Sequence, residues 1–246
     1  MGAKKNLLLI SNSRAYGRDY LDHCAEAVSA FLAGINQVLF IPYALKDWDD
    51  YAEKARKRLN GLGVELVSIH EAADHPILAV SSADAIFVGG GNTFRLLEAV
   101  HAHGLTHLIR ERVSSGMLYM GSSAGSNLAC PTICTTNDMP IRHVSTFEAL
   151  KLVPFQINPH FVDADPNSRH MGETRETRIK EFHEENVTPV IGLREGSWLR
   201  VEGDKVSLRG DGGAKIFLRG QEPFELGSGN EFSADLELLK QPEASQ

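Results

Sequence analysis

Gly121-Ser122-Ser123-Ala124-Gly125 follows an apolar stretch at residues 117–120 and matches the pattern G-x-S-x-G. Small residues around a central Ser let a strand turn sharply into a helix and lift the hydroxyl above the sheet edge. The backbone N–H after the Ser and the start of the next helix face the same space. Negative charge developing on a carbonyl oxygen therefore meets donors already in place. The chemistry this suits is acyl transfer through a serine nucleophile.

A serine hydroxyl is hardly ionised at neutral pH and needs a base. Of the ten His, His101, His103 and His107 sit on charged helical stretches, and His70 and His75 flank a loop. His160 differs: it lies in Ile157-Asn158-Pro159-His160-Phe161, a short apolar segment broken by Pro, which suits a strand end. Candidates for the acid that orients the imidazole are Asp138, Asp163, Asp165 and Glu195. Glu195 follows a strand-like segment and precedes Gly196. Reacting groups gather at the carboxyl ends of parallel strands, so Ser123, His160 and Glu195 form a coherent set. Their order, Ser then His then acid, differs from the Ser, acid, His order of α/β-hydrolases, and no convincing His follows Glu195.

A second signal is Gly89-Gly90-Gly91-Asn92-Thr93, where a strand empties into three glycines and a helix start. Bare backbone N–H groups there could bind an anion. The run lacks G-x-G-x-x-G and the Lys of a P-loop, so a backbone donor for an oxyanion fits better than a nucleotide site. Cys130 and Cys134 have no second ligand pair nearby, which disfavours a metal site.

The elements that must position these groups alternate. Residues 6–11 read as a buried strand, 19–33 as a helix closed by Gly34, 37–42 as a strand and 47–60 as a charged helix ended by Gly61. Strands follow at 64–69 and 85–88, and helices at 92–102 and 105–115. Such alternation predicts an α/β fold, a doubly wound and mostly parallel sheet with helices on both faces. A charged helix is expected over 169–185 and a strand over 189–193. Short strands at 198–201, 206–208 and 216–218 should form a C-terminal β meander that extends or caps the sheet. The tail after Gln241 reads as frayed. With no linker or repeat, the 246 residues are expected to form one catalytic domain.

Composition bounds the partners. The 25 Lys+Arg against 32 Asp+Glu give a formal charge of −7, and no basic block is present, which disfavours nucleic acid and membrane surfaces. Three Cys in no paired spacing point to a reducing compartment. Four consecutive apolar residues near the start fall short of a signal peptide, so a soluble, cytoplasmic protein is expected.

Taken together, GGGNT at 89–93, GSSAGSN at 121–127, TTNDMPI at 135–141, NPHF at 158–161 and REG at 194–196 make the sequence resemble, along essentially its whole length, the peptidase E (α-aspartyl dipeptidase) family. The resemblance implies a fold similar to class I glutamine amidotransferases and a cofactor-independent serine peptidase that cleaves dipeptides beginning with Asp. It implies Ser123 as nucleophile, His160 as base, Glu195 as its partner, and an oxyanion hole from the N–H groups of Gly91 and Ala124. Asp138 would face the substrate and suit its free amino terminus, with Asn92 beside it among the substrate-binding residues. Ser126 departs from the commoner Ala, a change expected to matter little. An acidic side chain needs a cation to read it, and Arg169, Arg175 and Arg178 follow His160. Arg175 is the choice, against a reading in which these arginines pair with Glu173, Glu176 and Glu181 along a solvated helix. The expected partner is a small acidic dipeptide, with a homodimer as the assembly and neither cofactor nor metal. Two other readings are a cyanophycinase-like hydrolase acting on β-Asp-Arg polymer, and a binding or sensor module without turnover.

Overall fold

In the computed structural model, residues 5–72, 75–165, 167 and 172–236 are described. β1 (Asn6–Ile10) leads through a 3-10 turn into α1 (Ala25–Phe31), followed by β2 (Gln37–Ile41), α2 (Trp48–Asn60), β3 (Glu65–Ser68), α3 (Pro76–Ser82) and β4 (Ala85–Val88). Then come α4 (Thr93–Ala102), α5 (Leu105–Ser114), β5 (Leu118–Ser122) and α6 (Ala124–Leu128). The helix expected over 19–33 is shorter because Leu21 sits at φ 55°, a conformation no helix continues through. Asp47 and Asn92 cap α2 and α4, each side chain accepting a hydrogen bond from the amide three residues on.

Five strands of the large sheet run in the order β1-β5-β4-β2-β3, each parallel to its neighbours in that run. Period-two alternation divides its side chains between two cores. Leu7, Leu9, Ile86, Val88 and Tyr119 face α3, α4, α5 and α6, whereas Leu8, Ile10, Phe40, Phe87 and Met120 face α1 and α2. Helices therefore cover both faces, as expected of a doubly wound sheet.

The C-terminal part divides in a way the sequence pattern does not show. β6 (Gln156–Phe161), α7 (Arg175–Glu185) and β7 (Val190–Arg194) precede β8 (Ser197–Glu202), β9 (Lys205–Gly210), β10 (Ala214–Phe217), β11 (Phe224–Leu226) and β12 (Glu231–Ser233). β8 pairs antiparallel with β1, and β9 and then β12 follow, each antiparallel to its neighbour, so that the large sheet runs β12-β9-β8-β1-β5-β4-β2-β3. β10 and β11 instead join β7 and β6 in a second sheet, ordered β11-β10-β7-β6. Ile157, Ile191 and Ile216 of this small sheet share the core with α4, α5 and α6, while Phe161, Val190 and Phe217 turn the other way to meet Ile179 of α7. α7 starts at Arg175, six residues later than its charge pattern suggests; Arg169 and the tail after Gln241 lie outside the described residues. Among those residues no helix is long and apolar enough to cross a membrane.

Candidate active site

The turn from β5 into α6 is the G-x-S-x-G elbow. Ser123 adopts φ 51°, ψ −110°, a strained conformation that over-determined surroundings must hold. Side chains would not fit on either side: a Cβ on Gly121 would lie 2.5 Å from Gly125 O, and one on Gly125 would run into Val88 O. Ser123 N donates to Ile10 O at 2.9 Å, and Tyr119 Oη donates to Gly125 O at 2.6 Å. Ser126, expected to matter little, is fully buried and its hydroxyl lies 2.8 Å from Ile10 O and 3.0 Å from Gly121 O, tying α6 to β1 and β5.

His160 comes from the small sheet. The β6–β7 register shifts between Pro159 and Phe161, and His160 takes φ 52°, which swings its ring out of the ladder. Nε2 then lies 3.0 Å from Ser123 Oγ, and Nδ1 lies 2.6 Å from Glu195 Oε1 in the turn after β7. The three residues singled out from the sequence are thus brought into one hydrogen-bonded row, with two of them on a sheet other than the one that carries Ser123.

Residues that the sequence reading passed over join the two sheets. Ser11 Oγ donates to Leu193 O at 2.8 Å and accepts from His160 N at 3.0 Å, and Asn12 Oδ1 accepts from Gly196 N at 2.8 Å. Both are buried polar residues directly after an apolar strand, which is the signal that marks them. The segment 129–155, which carries TTNDMPI, straps over β6. Asn127 Nδ2 and Thr135 Oγ1 donate to Ile157 O, and Asn137 Nδ2 donates to Pro159 O at 2.7 Å. Arg194 reaches Asp163 and Glu225 through paired contacts of 2.7–2.9 Å. Its guanidinium holds the Asp163 carboxyl below the usual carboxylate range. Asp163 is thereby placed in a tie between the ends of β6 and β7, and Asp165 accepts from Asn167 N.

The pocket at this edge has a volume of about 930 Å³, and Ser123, His160, Gly90, Gly91 and Asp138 are among its lining residues. Gly91 is required at its position: φ is 138°, and a Cβ would meet Ala44 O at 2.6 Å. Ala124 opens α6, so its N–H has no partner within the helix. Asp138 Oδ2 accepts from Thr93 N at 2.7 Å and from Thr93 Oγ1 at 2.5 Å, while Oδ1 makes no bond to the described residues. Asn92 lies in the same loop, its Oδ1 accepting from Arg95 N and its Nδ2 donating to Met139 O at 2.9 Å.

Arg175 is half-buried at the start of α7, near enough to feel the charge of Asp138, yet it does not line the pocket. Burial and the neighbouring Arg178 lower its pKa. Arg178 pairs with Glu173, and Glu176 binds Lys180 and Lys215, so the solvated-helix pairing accounts for those residues but not for Arg175. Of the other histidines, His70 bridges Ser68 and Asp49, His101 Nε2 lies 3.2 Å from Glu148 O, His103 stacks on Tyr43, and His107 pairs with Glu111. Among the described residues no group of three or more His, Cys, Asp or Glu is placed to hold a metal ion.

A strained serine elbow on a doubly wound sheet, with a hydrogen-bonded imidazole and carboxylate behind it, is the arrangement that serine hydrolases use. The model of peptidase family S51 matches residues 7–209. The chain is 51% identical over 233 residues to Peptidase E of Streptomyces coelicolor, covering 95% of this chain and 96% of that one. It is 47% identical over 220 residues to a Drosophila melanogaster protein named "Probable alpha-aspartyl dipeptidase", covering 88% and 91%. A crystal structure of a peptidase from an acI-B1 actinobacterium shares the fold, with a TM-score of 0.70 at 21% identity over 94% of this chain and 97% of that one. The chain belongs to peptidase family S51, and with it to the serine-type dipeptidases.

Proposed function

We propose that Ser123, His160 and Glu195 are a catalytic triad that hydrolyses dipeptides with an N-terminal aspartate. The observation that carries the reading is the continuous row from Ser123 Oγ through His160 to Glu195 Oε1 at 3.0 and 2.6 Å. His160 Nε2 takes the hydroxyl proton as Ser123 Oγ attacks the peptide carbonyl, and Glu195 stabilises the imidazolium through Nδ1–H. The N–H groups of Gly91 and Ala124 receive the oxyanion. His160 then hands its proton to the leaving amine, and water, activated by the same imidazole, hydrolyses the aspartyl ester.

Asp138 Oδ1 receives the substrate ammonium, while its Oδ2 stays anchored on Thr93. Asn92 stands beside it and holds the glycine loop to Met139. Arg175, a half-buried cation near Asp138 with no carboxylate partner among the described residues, reads the aspartyl side chain. A charge-assisted contact of that kind is worth about 1.5–3 kcal/mol.

Hydrolysis of Asp-Leu, Asn-Leu and β-Asp-Arg polymer by wild type and Ser123→Ala tests the reading. Wild type should cleave Asp-Leu well above the other two, and Ser123→Ala should lose about 10⁵-fold or more with its circular dichroism unchanged. Residual turnover near wild type in that variant, or equal rates on Asn-Leu, defeats it.

A further inference from the structure

Three cations line the pocket without a carboxylate partner among the described residues: Lys46, which is exposed, and Arg14 and Lys54. Arg14, in the loop after β1, and Lys54, within α2, both border the cavity that holds Ser123 and His160, and neither forms an ion pair with the described residues. Lys54 is half-buried, its Nζ 4.8 Å from the centroid of the buried Tyr20 ring. Burial, and after it the charge of Arg14, lowers its pKa below the usual lysine value. A half-buried ammonium that also feels the charge of a neighbouring guanidinium is unfavourable until an anion joins it.

The carboxylates of the same rim do not serve as that anion. Asp47 Oδ1 caps α2 by accepting from Asp50 N at 3.0 Å, Asp50 itself is exposed, and Asp138 is held by Thr93. The two ends of the pocket also lie over different faces of the sheet. Tyr20, beneath Lys54, and Tyr51, whose ring meets that of Tyr20 edge-on, belong to the α1–α2 core, whereas Thr93 begins α4, which packs on the other core. Ser123, at the end of β5, stands between them. A dipeptide with its ammonium and side chain at the Asp138 end therefore directs its C-terminal carboxylate, one residue beyond the scissile bond, toward Lys54.

We propose that Lys54, flanked by Arg14, is the subsite for the free C-terminal carboxylate of the departing residue and thereby confines cleavage to dipeptides. This rests on the dipeptidase reading above. A longer peptide presents a neutral amide at that point and leaves both cations uncompensated.

The experiment compares kcat/KM on Asp-Leu and Asp-Leu-amide. Wild type should prefer the free acid by about 10- to 100-fold. In Lys54→Met this preference should fall toward parity, carried by KM for the acid; in Arg14→Gln it should fall part of the way. An unchanged preference in folded Lys54→Met overturns the subsite. If circular dichroism shows Lys54→Met unfolded, an unchanged preference in Arg14→Gln, at an exposed loop position, does so instead. No cleavage of Asp-Leu by wild type overturns both readings, whereas equal cleavage of acid and amide overturns the subsite alone.

Discussion

Replacing Glu195 by Gln removes a charge while leaving an oxygen that can still accept from His160 Nδ1, so it isolates the electrostatic part of the row. Unit charges about 4 Å apart attract by about 1 kcal/mol in bulk water and about 4 kcal/mol at an effective dielectric constant near 20. In rate that is about 5-fold to about 10³-fold. The His160 and Glu195 side chains are 39% and 55% exposed, which places the site between those limits. Glu195→Gln should therefore lower kcat/KM on Asp-Leu by about 10²-fold, less than the ~10⁴-fold typical when the acid of a serine triad is enclosed. Initial rates of leucine release, with unfolding curves to confirm equal folding, measure it. A loss below about three-fold would show that the carboxylate charge does not act on the imidazole. A loss as complete as that of Ser123→Ala would show that Glu195 supports the site's architecture rather than its electrostatics.

Gly125→Ala should destabilise by about 3 kcal/mol or more, because the added methyl meets the Val88 backbone, which cannot yield as a side chain can; urea unfolding checks this, and a change under about 1 kcal/mol contradicts the packing. Arg194 depresses the Asp163 pKa, so the tie stabilises fully above the ordinary carboxylate range and is lost as pH falls through the lowered value. Melting temperatures of wild type and Arg194→Met should therefore converge as pH drops from about 5 to about 2, and parallel curves would refute the assignment. Burial pushes the Cys24 and Cys130 thiols up to about 12, whereas Cys134 is exposed. Alkylation of the folded protein at pH 8 should label one cysteine, and peptide mapping should place the label on Cys134.

Much of the site is legible in the sequence because each of its parts is local. The elbow announces itself as an apolar strand ending in small residues, and Pro159 before His160 marks a strand that stops being regular. The strands β1, β2, β4 and β5 are short apolar runs bounded by turn residues, and those runs need no partner to be recognised. What escapes is pairing. Nothing in the segment 214–217 states that it will pair with Val190–Arg194 while the preceding strand, β9, pairs with β8 in the large sheet, because both edges offer the same backbone groups and differ only in distant packing. Ser11 and Asn12 escape for a related reason: their partners Leu193, His160 and Gly196 lie some 150–180 residues away. Arg175 is named by its chemistry, but α7 begins six residues later than its charge pattern suggests, since Thr174, whose hydroxyl accepts from Thr177 N, supplies the cap.

The 3.0 Å contact between Ser123 and His160 is also the place where one sheet meets the other. Ser123 hangs from the large sheet, and His160 and Glu195 hang from the small one, so under the proposed triad neither sheet owns a working site. Turnover is then a gauge of docking: it must vanish when the sheets separate, even while each ladder stays intact and the far-ultraviolet signal is unchanged. A chain divided within the strap at 129–155 would yield one fragment bearing the proposed nucleophile and another bearing its proposed base, both expected to be inert, and recovered hydrolysis on mixing would report their reassembly.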